Sequence, residues 1–179
     1  MSTTNMFWTI DGDTVIDENF LLDYNPSIHD RNYIHIWLSR NPVNGLEYGY
    51  GAIKLWPKSK VEEYDGSWLD YTISVGQIKI INQTVATTYF NSSPFESWKS
   101  AFRECVKLVR NIKTNPDDTE SKTRLDTWMK VKNDVPFAAW CITGTNDAID
   151  WFQQNKNNLH YINNFRWLED RFKDLHCNT

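Results

Sequence analysis

At 179 residues, 40% hydrophobic and 15% aromatic, the chain is long enough to bury one sizeable core. It contains no apolar run near the roughly 20 residues that span a bilayer, and Met1-Ser2-Thr3-Thr4-Asn5 has no signal-peptide character, so no membrane association and a cytoplasmic location (host cytoplasm for a viral protein) are expected. The formal charge of −4 argues against tight, nonspecific binding to a polyanion, since residues 1–98 carry six basic and twelve acidic side chains and only residues 99–132, with nine basic and five acidic, could face an anion.

The first half reads as strands. Met6-Phe7-Trp8-Thr9-Ile10 is a strand running into Asp11-Gly12-Asp13, where the glycine is expected to let the chain bend. Residues 14–20 continue apolar and acidic, and residues 33–39 are aromatic and β-branched enough for a second strand. Asn41-Pro42 and Asn44-Gly45 end that strand with turn signals, and residues 48–56 return as another. Further strands are expected over 69–75, 77–81 and 84–90.

The second half reads as helices. Ser93-Pro94-Phe95-Glu96 is a capping box with proline at the first helical position. The helix it opens has an apolar stripe of Phe95, Trp98, Phe102, Cys105, Val109 and Ile112. Lys99, Arg103, Lys107 and Arg110 lie on its other face. A second helix, capped by Asp117 and Glu120, is expected to run to about Met129. A third spans 137–154 with an interruption near Gly144, and a last one carries Tyr161, Phe165, Leu168, Phe172 and Leu175.

Nine Trp, nine Phe and eight Tyr exceed what such a core needs, so some rings are expected to line a pocket or interface. The plainer alternative is that they only fill the core. Cys105, Cys141 and Cys177 form no CxxC pair and read as reduced thiols.

Three groups of residues could carry chemistry. Asp11 and Asp13 at a strand end suit a hard divalent cation that also holds phosphates; a solvated acidic turn fits them too. An EF-hand does not fit, because Val15 and Ile16 stand where a ligand and the invariant glycine are needed. Tyr48, Gly49, Gly51 and Lys54 combine close backbone approach, stacking and a point charge, as a donor or acceptor site would; a glycine-rich hairpin is the alternative. Arg103 and Glu104 flank the apolar stripe, where a carboxylate could act as general base, although a Glu104–Lys107 pair on a solvated face accounts for the spacing. The four histidines are scattered, and there is no Walker loop or GxGxxG, so hydrolase and P-loop readings lack support.

The series Met6–Ile16 (with Asp11-Gly12-Asp13), His35–Asn44, Tyr48–Leu55 and Trp98–Leu108, running on to the closing Ile162–Leu168, resembles a family of phage and viral glycosyltransferases. These are similar to the DNA-base glycosyltransferases associated with thymine- and methylcytosine-oxidising enzymes. The resemblance implies a partial GT-A-like (Rossmann-like) mixed α/β sheet in residues 1–92 and a helical part in 93–179, together one domain. It implies transfer from a nucleotide-sugar, with Mn²⁺ or Mg²⁺, to a hydroxyl acceptor, preferably a hydroxymethylated base in phage DNA. Asp13 would be the direct metal ligand and Asp11 would lie near the ribose or the metal. Tyr48, Gly49, Gly51 and Lys54 would line the donor or acceptor, and Arg103 and Glu104 would be catalytic. Lys99, Arg103, Lys107 and Arg110 would contact a nucleic-acid backbone. GT-A domains place nucleotide-binding strand–helix units before this motif, whereas five residues precede the strand here. The resemblance therefore implies a truncated or split product, or a separate chain supplying that half, and otherwise an exposed strand edge. The alternative is a non-catalytic remnant or subunit binding a partner protein or a carbohydrate.

Overall fold

A computed structural model describes residues 4–62, 72, 76–131 and 134–177. The chain is an α/β protein with two compact units, Met1–Tyr89 and Phe90–Thr179. Among the described residues the first holds five strands of a mixed sheet, β1 Met6–Ile10, β2 Thr14–Ile16, β3 Ile34–Arg40, β4 Glu47–Pro57 and β5 Ile78–Thr88, with a short helix α1 Lys58–Glu62. The second holds α2 Pro94–Thr114, α3 Thr119–Trp128, α4 Ala139–Gln154, a 3-10 turn Leu159–Asn163 and α5 Phe165–His176.

The strand order is β1-β4-β3-β5-β2. Only β3 and β5 run parallel; the other pairs are antiparallel. β1 and β2 thus occupy opposite edges, although just residues 11–13 separate them in sequence. In a flat sheet four strand spacings would part those edges by about 19 Å. Four residue steps reach about 14 Å at full extension. The sheet must therefore curl until its edges converge, close to a barrel. The hydrogen bonds show how: Asp11 N donates to Ala52 O on β4 (3.0 Å), and Tyr89 N just beyond β5 donates to Asp13 O (2.7 Å). Gly12 is not needed for this bend. Its φ is not positive, and a Cβ there would meet nothing within 4 Å.

Alternation along the strands builds two apolar clusters. Trp37, Ile53, Leu55 and Val85 take Met6, Trp8, Phe20 and Tyr24 against them, while Ile34, Ile36 and Trp56 take Phe7 and Ile78. The β3–β4 turn follows its sequence signals. Asn41 Oδ1 accepts from Val43 N (2.9 Å), and Gly45 adopts φ 77°, which glycine permits without strain. The strands expected at 77–81 and 84–90 are one strand, β5. Its register against β3 shifts around Leu38, so a bulge rather than a turn absorbs the irregularity. The strand expected at 69–75 lies outside the described residues, apart from Thr72.

In the second unit, Ser93 Oγ accepts from Glu96 N (3.1 Å), as the capping box requires, while the Glu96 carboxylate pairs with Lys99. The α3 cap is Asp118 rather than Asp117: its Oδ1 accepts from Ser121 N (2.9 Å) and its Oδ2 from Ser121 Oγ (2.7 Å). α4 starts at Ala139 because Phe137 sits at φ 58°, outside the helical region. α4 is not interrupted at Gly144. The glycine is where α4 meets α2, since a Cβ there would lie 2.4 Å from the Trp98 carbonyl oxygen. The last apolar stripe is split by Asn164, which caps α5 by accepting from Trp167 N (3.1 Å). Leu168 and Phe172 are buried, while Tyr161, Phe165 and Leu175 remain exposed. Most of the aromatic load of this unit is core, in a chain of ring contacts from Phe95 through Trp98, Phe102 and Trp151 to Trp167. Among the described residues no helix is long and apolar enough to cross a membrane.

Candidate functional site

Asp11 and Asp13 stand exposed at the corner where the sheet closes, their backbones tied to β4 and to the end of β5. The Asp11 carboxyl titrates above its ordinary range because surrounding protein desolvates it; Lys54 opposes that shift and Asp13 adds to it. Lys54 lies opposite Thr9 in register, with its ammonium 6.0 Å from the Trp56 ring centroid. The three charges therefore share one corner. Among the described residues no three His, Cys, Asp or Glu side chains converge as a metal centre would need. A cation here would take Asp11 and Asp13 alone and complete its shell with water and ligand oxygens.

The other sequence candidates have other surroundings. Gly49 is buried, and a Cβ there would press on Ile36 (3.2 Å) and Leu38 (3.3 Å), so its smallness serves sheet packing. Tyr48 pairs in register with Ser39 and is half-buried; Gly51 lies on β4, and its surroundings fall outside the described residues.

Arg103 and Glu104 belong to the second unit and Asp11 and Asp13 to the first. Arg103 donates to Ile162 O (2.8 Å) and Asn163 Oδ1 (3.2 Å) and lies 5.0 Å from the Phe165 ring centroid. Glu104 pairs with Arg124 of α3, at side-chain exposures of 17% and 12%. Lys99 sits 5.1 Å from the Phe165 centroid and 5.2 Å from that of Phe95. Lys99 and Arg103 thus hold the 3-10 turn and the start of α5 to α2. Lys107 is half-buried and Arg110 exposed, so the basic row is not one uniform outward stripe. The buried thiols of Cys105 and Cys141 are held protonated by burial, the latter pushed up to about 12, which makes both poor nucleophiles.

An open cleft of about 910 Å³ lies beside β1 and the end of β4. Its apolar wall includes Trp8, Tyr24 and Leu55, and Asn25, Asn32 and Ser59 supply hydrogen-bonding groups. Arg31 and Lys58 also line it. Trp8 is held from behind by Trp37 (centroids 4.8 Å apart) and Phe20 (6.0 Å). Asp30 ties the loop that forms one wall to the sheet. Its Oδ2 accepts from Lys79 Nζ (2.8 Å) and from Ser27 Oγ (2.8 Å), and these bonds hold its carboxyl below the ordinary range.

His35 lies under this loop, fully buried. Its Nε2 donates to the Asp30 carbonyl (3.1 Å), while among the described residues its buried Nδ1 has no partner. Protonation would place an unpartnered N–H there, and burial, helped by Lys79, lowers the His35 pKa from its ordinary 6.5. The unfolded chain therefore binds the proton first. Stability is expected to be full above pH ~6.5 and to fall as the pH drops from there through the lowered folded value. Urea unfolding between pH 7.5 and 5 checks this, with His35→Gln flattening the profile.

No family model, curated protein or solved structure matches this chain.

The cleft residues escaped the sequence reading because no motif joins them. One signal was present: 17 residues separate β2 from β3, from Asp17 to Tyr33, which is long for a connection within a compact unit. Such loops are disproportionately functional.

Proposed function

We propose that the first unit is a non-catalytic carbohydrate-binding module whose site is the Trp8/Tyr24 cleft. The observation that carries this reading is a braced aromatic surface facing amide and hydroxyl groups within one recess. A sugar offers both an apolar C–H face for a ring and hydroxyls for Asn25, Asn32 and Ser59. The volume is within the range of small-molecule sites. Titrating a panel of mono- and oligosaccharides while following the Trp8 indole NMR resonance, assigned with Trp8→Phe, tests it. A saturable shift with at least one sugar is expected; a resonance that no sugar moves sinks the reading.

A second reading is favoured by the shared corner of Asp11, Asp13 and Lys54: a GT-A-like glycosyltransferase. It would use Mn²⁺ or Mg²⁺ and a nucleotide-sugar, and its preferred acceptor is a hydroxymethylated base in phage DNA, with a separate chain supplying any missing nucleotide-binding half. Asp11 and Asp13 would hold the ion, which would neutralise the diphosphate leaving group, and Lys54 would sit beside the phosphates. On this reading Mn²⁺ with a UDP- or GDP-sugar raises the melting temperature, and Asp13→Ala abolishes the rise. A rise that persists in that variant removes the assignment.

A further inference from the structure

We propose that the cleft takes two linked sugar units laid along β1, and not a single ring; this rests on the carbohydrate reading above. The length comes from the ladder beneath the ligand. Side chains alternate across a strand, so Met6 and Trp8 share one face of β1, and both line the cleft. In the antiparallel register Trp8 stands opposite Leu55 and Met6 opposite Pro57, and these partners line it too. Asn5 O accepts from Lys58 N (2.9 Å), which carries the pairing one residue beyond β1. There the chain bends on one side and α1 begins on the other, and Thr4 and Ser59 mark the far end of the cleft.

The three residue steps from Trp8 back to Asn5 cover about 10 Å. With bonds of about 1.5 Å, a pyranose unit reaches only about 5 Å from one linking oxygen to the next. One ring on Trp8 therefore leaves half of the floor bare, and two in a row cover it. The first ring meets Trp8 and Leu55, with Trp8 held rigid by Trp37 behind it, which lowers the cost of binding. The second ring meets Met6 and Pro57, and its hydroxyls meet Ser59. The volume of about 910 Å³ stands near the top of the range for small-molecule sites, as a ligand longer than one ring requires.

Calorimetry on the full chain with glucose, cellobiose and cellotriose, and with the matching maltose and N-acetylglucosamine series, tests this. In at least one series the disaccharide is expected to bind at least about tenfold more tightly than the monosaccharide, and the trisaccharide within about threefold of the disaccharide. Ser59→Ala should cut the disaccharide's advantage about fivefold, and because Ser59 is exposed the melting temperature should stay unchanged. A monosaccharide that matches the disaccharide in every series that binds, a trisaccharide that gains a further factor of about ten, or a Ser59→Ala variant that keeps the ratio overturns the two-unit assignment and leaves the carbohydrate reading standing. If no sugar of any length binds, both readings fall.

Discussion

Alanine at Gly144 is expected to destabilise the second unit by about 3 kcal/mol and to lower its melting temperature by about 10 °C or more. The sign is not obvious from helix chemistry, since alanine in place of a mid-helix glycine ordinarily gains up to about 1 kcal/mol. Packing decides it. The added Cβ would lie 2.4 Å from the Trp98 carbonyl oxygen and 3.1 Å from the Trp98 Cα. Those atoms are helix backbone and cannot rotate aside, so α4 must move away from α2. That movement would strip contacts from Trp98, Ala101 and Cys141, all buried in the present packing. Thermal unfolding followed by near-ultraviolet circular dichroism, which reads the packed tryptophans, measures the loss. An unchanged or raised midpoint would show that the two helices do not meet at this glycine.

Removing the carboxylate of Glu104 is expected to cost about 2 kcal/mol, because it takes the close partner of a mostly buried Arg124 guanidinium while the exposed Glu120 carboxylate, 3.7 Å from Nη1, stays in place. Replacing both residues with methionine should recover most of that loss, since well-packed apolar side chains of similar size avoid desolvating two charges. A double-mutant cycle of urea midpoints gives the coupling directly. The same variants bear on the general-base reading of Glu104. A base can be lost without loss of fold, so Glu104→Gln that unfolds at the parental urea concentration would show that the carboxylate does not hold α3 to α2. A large coupling energy would assign Glu104 to structure.

The sequence was most legible where a local rule sufficed. The Ser93 cap, the proline after it and the Asn44-Gly45 turn each depend on a few neighbouring residues, and all three are found. It was least legible where a distant partner decides. Gly144 reads locally as a helix breaker, and only the Trp98 backbone against it makes it a point of close approach. Lys99 and Arg103 have the spacing of a solvated basic face, yet the rings and carbonyls that engage them come from residues about 60 positions later. Residues 77–81 and 84–90 looked like two strands because the bulge opposite Leu38 interrupts their periodicity without ending the ladder. At the candidate site, Asp11 and Asp13 could be found as a pair, but nothing local says that they join opposite edges of one sheet. The cleft depended most on tertiary structure, since Trp8, Tyr24, Arg31 and Lys58 are brought together from a strand, a long loop and the start of a helix.

That bent N-terminal strand also bears on self-association. A sheet whose outer strands offer rows of bare N–H and C=O groups is a template on which another molecule can add a strand. Here the chain from Met6 to Ile16 pairs with β4 on one side and β5 on the other. It therefore covers β4 and β5 and leaves β1 and β2, strands of five and three residues, as the outer ones among the described residues. Edges that short offer few bare groups to a second molecule, and the two carboxylates set between them repel a like corner on another copy.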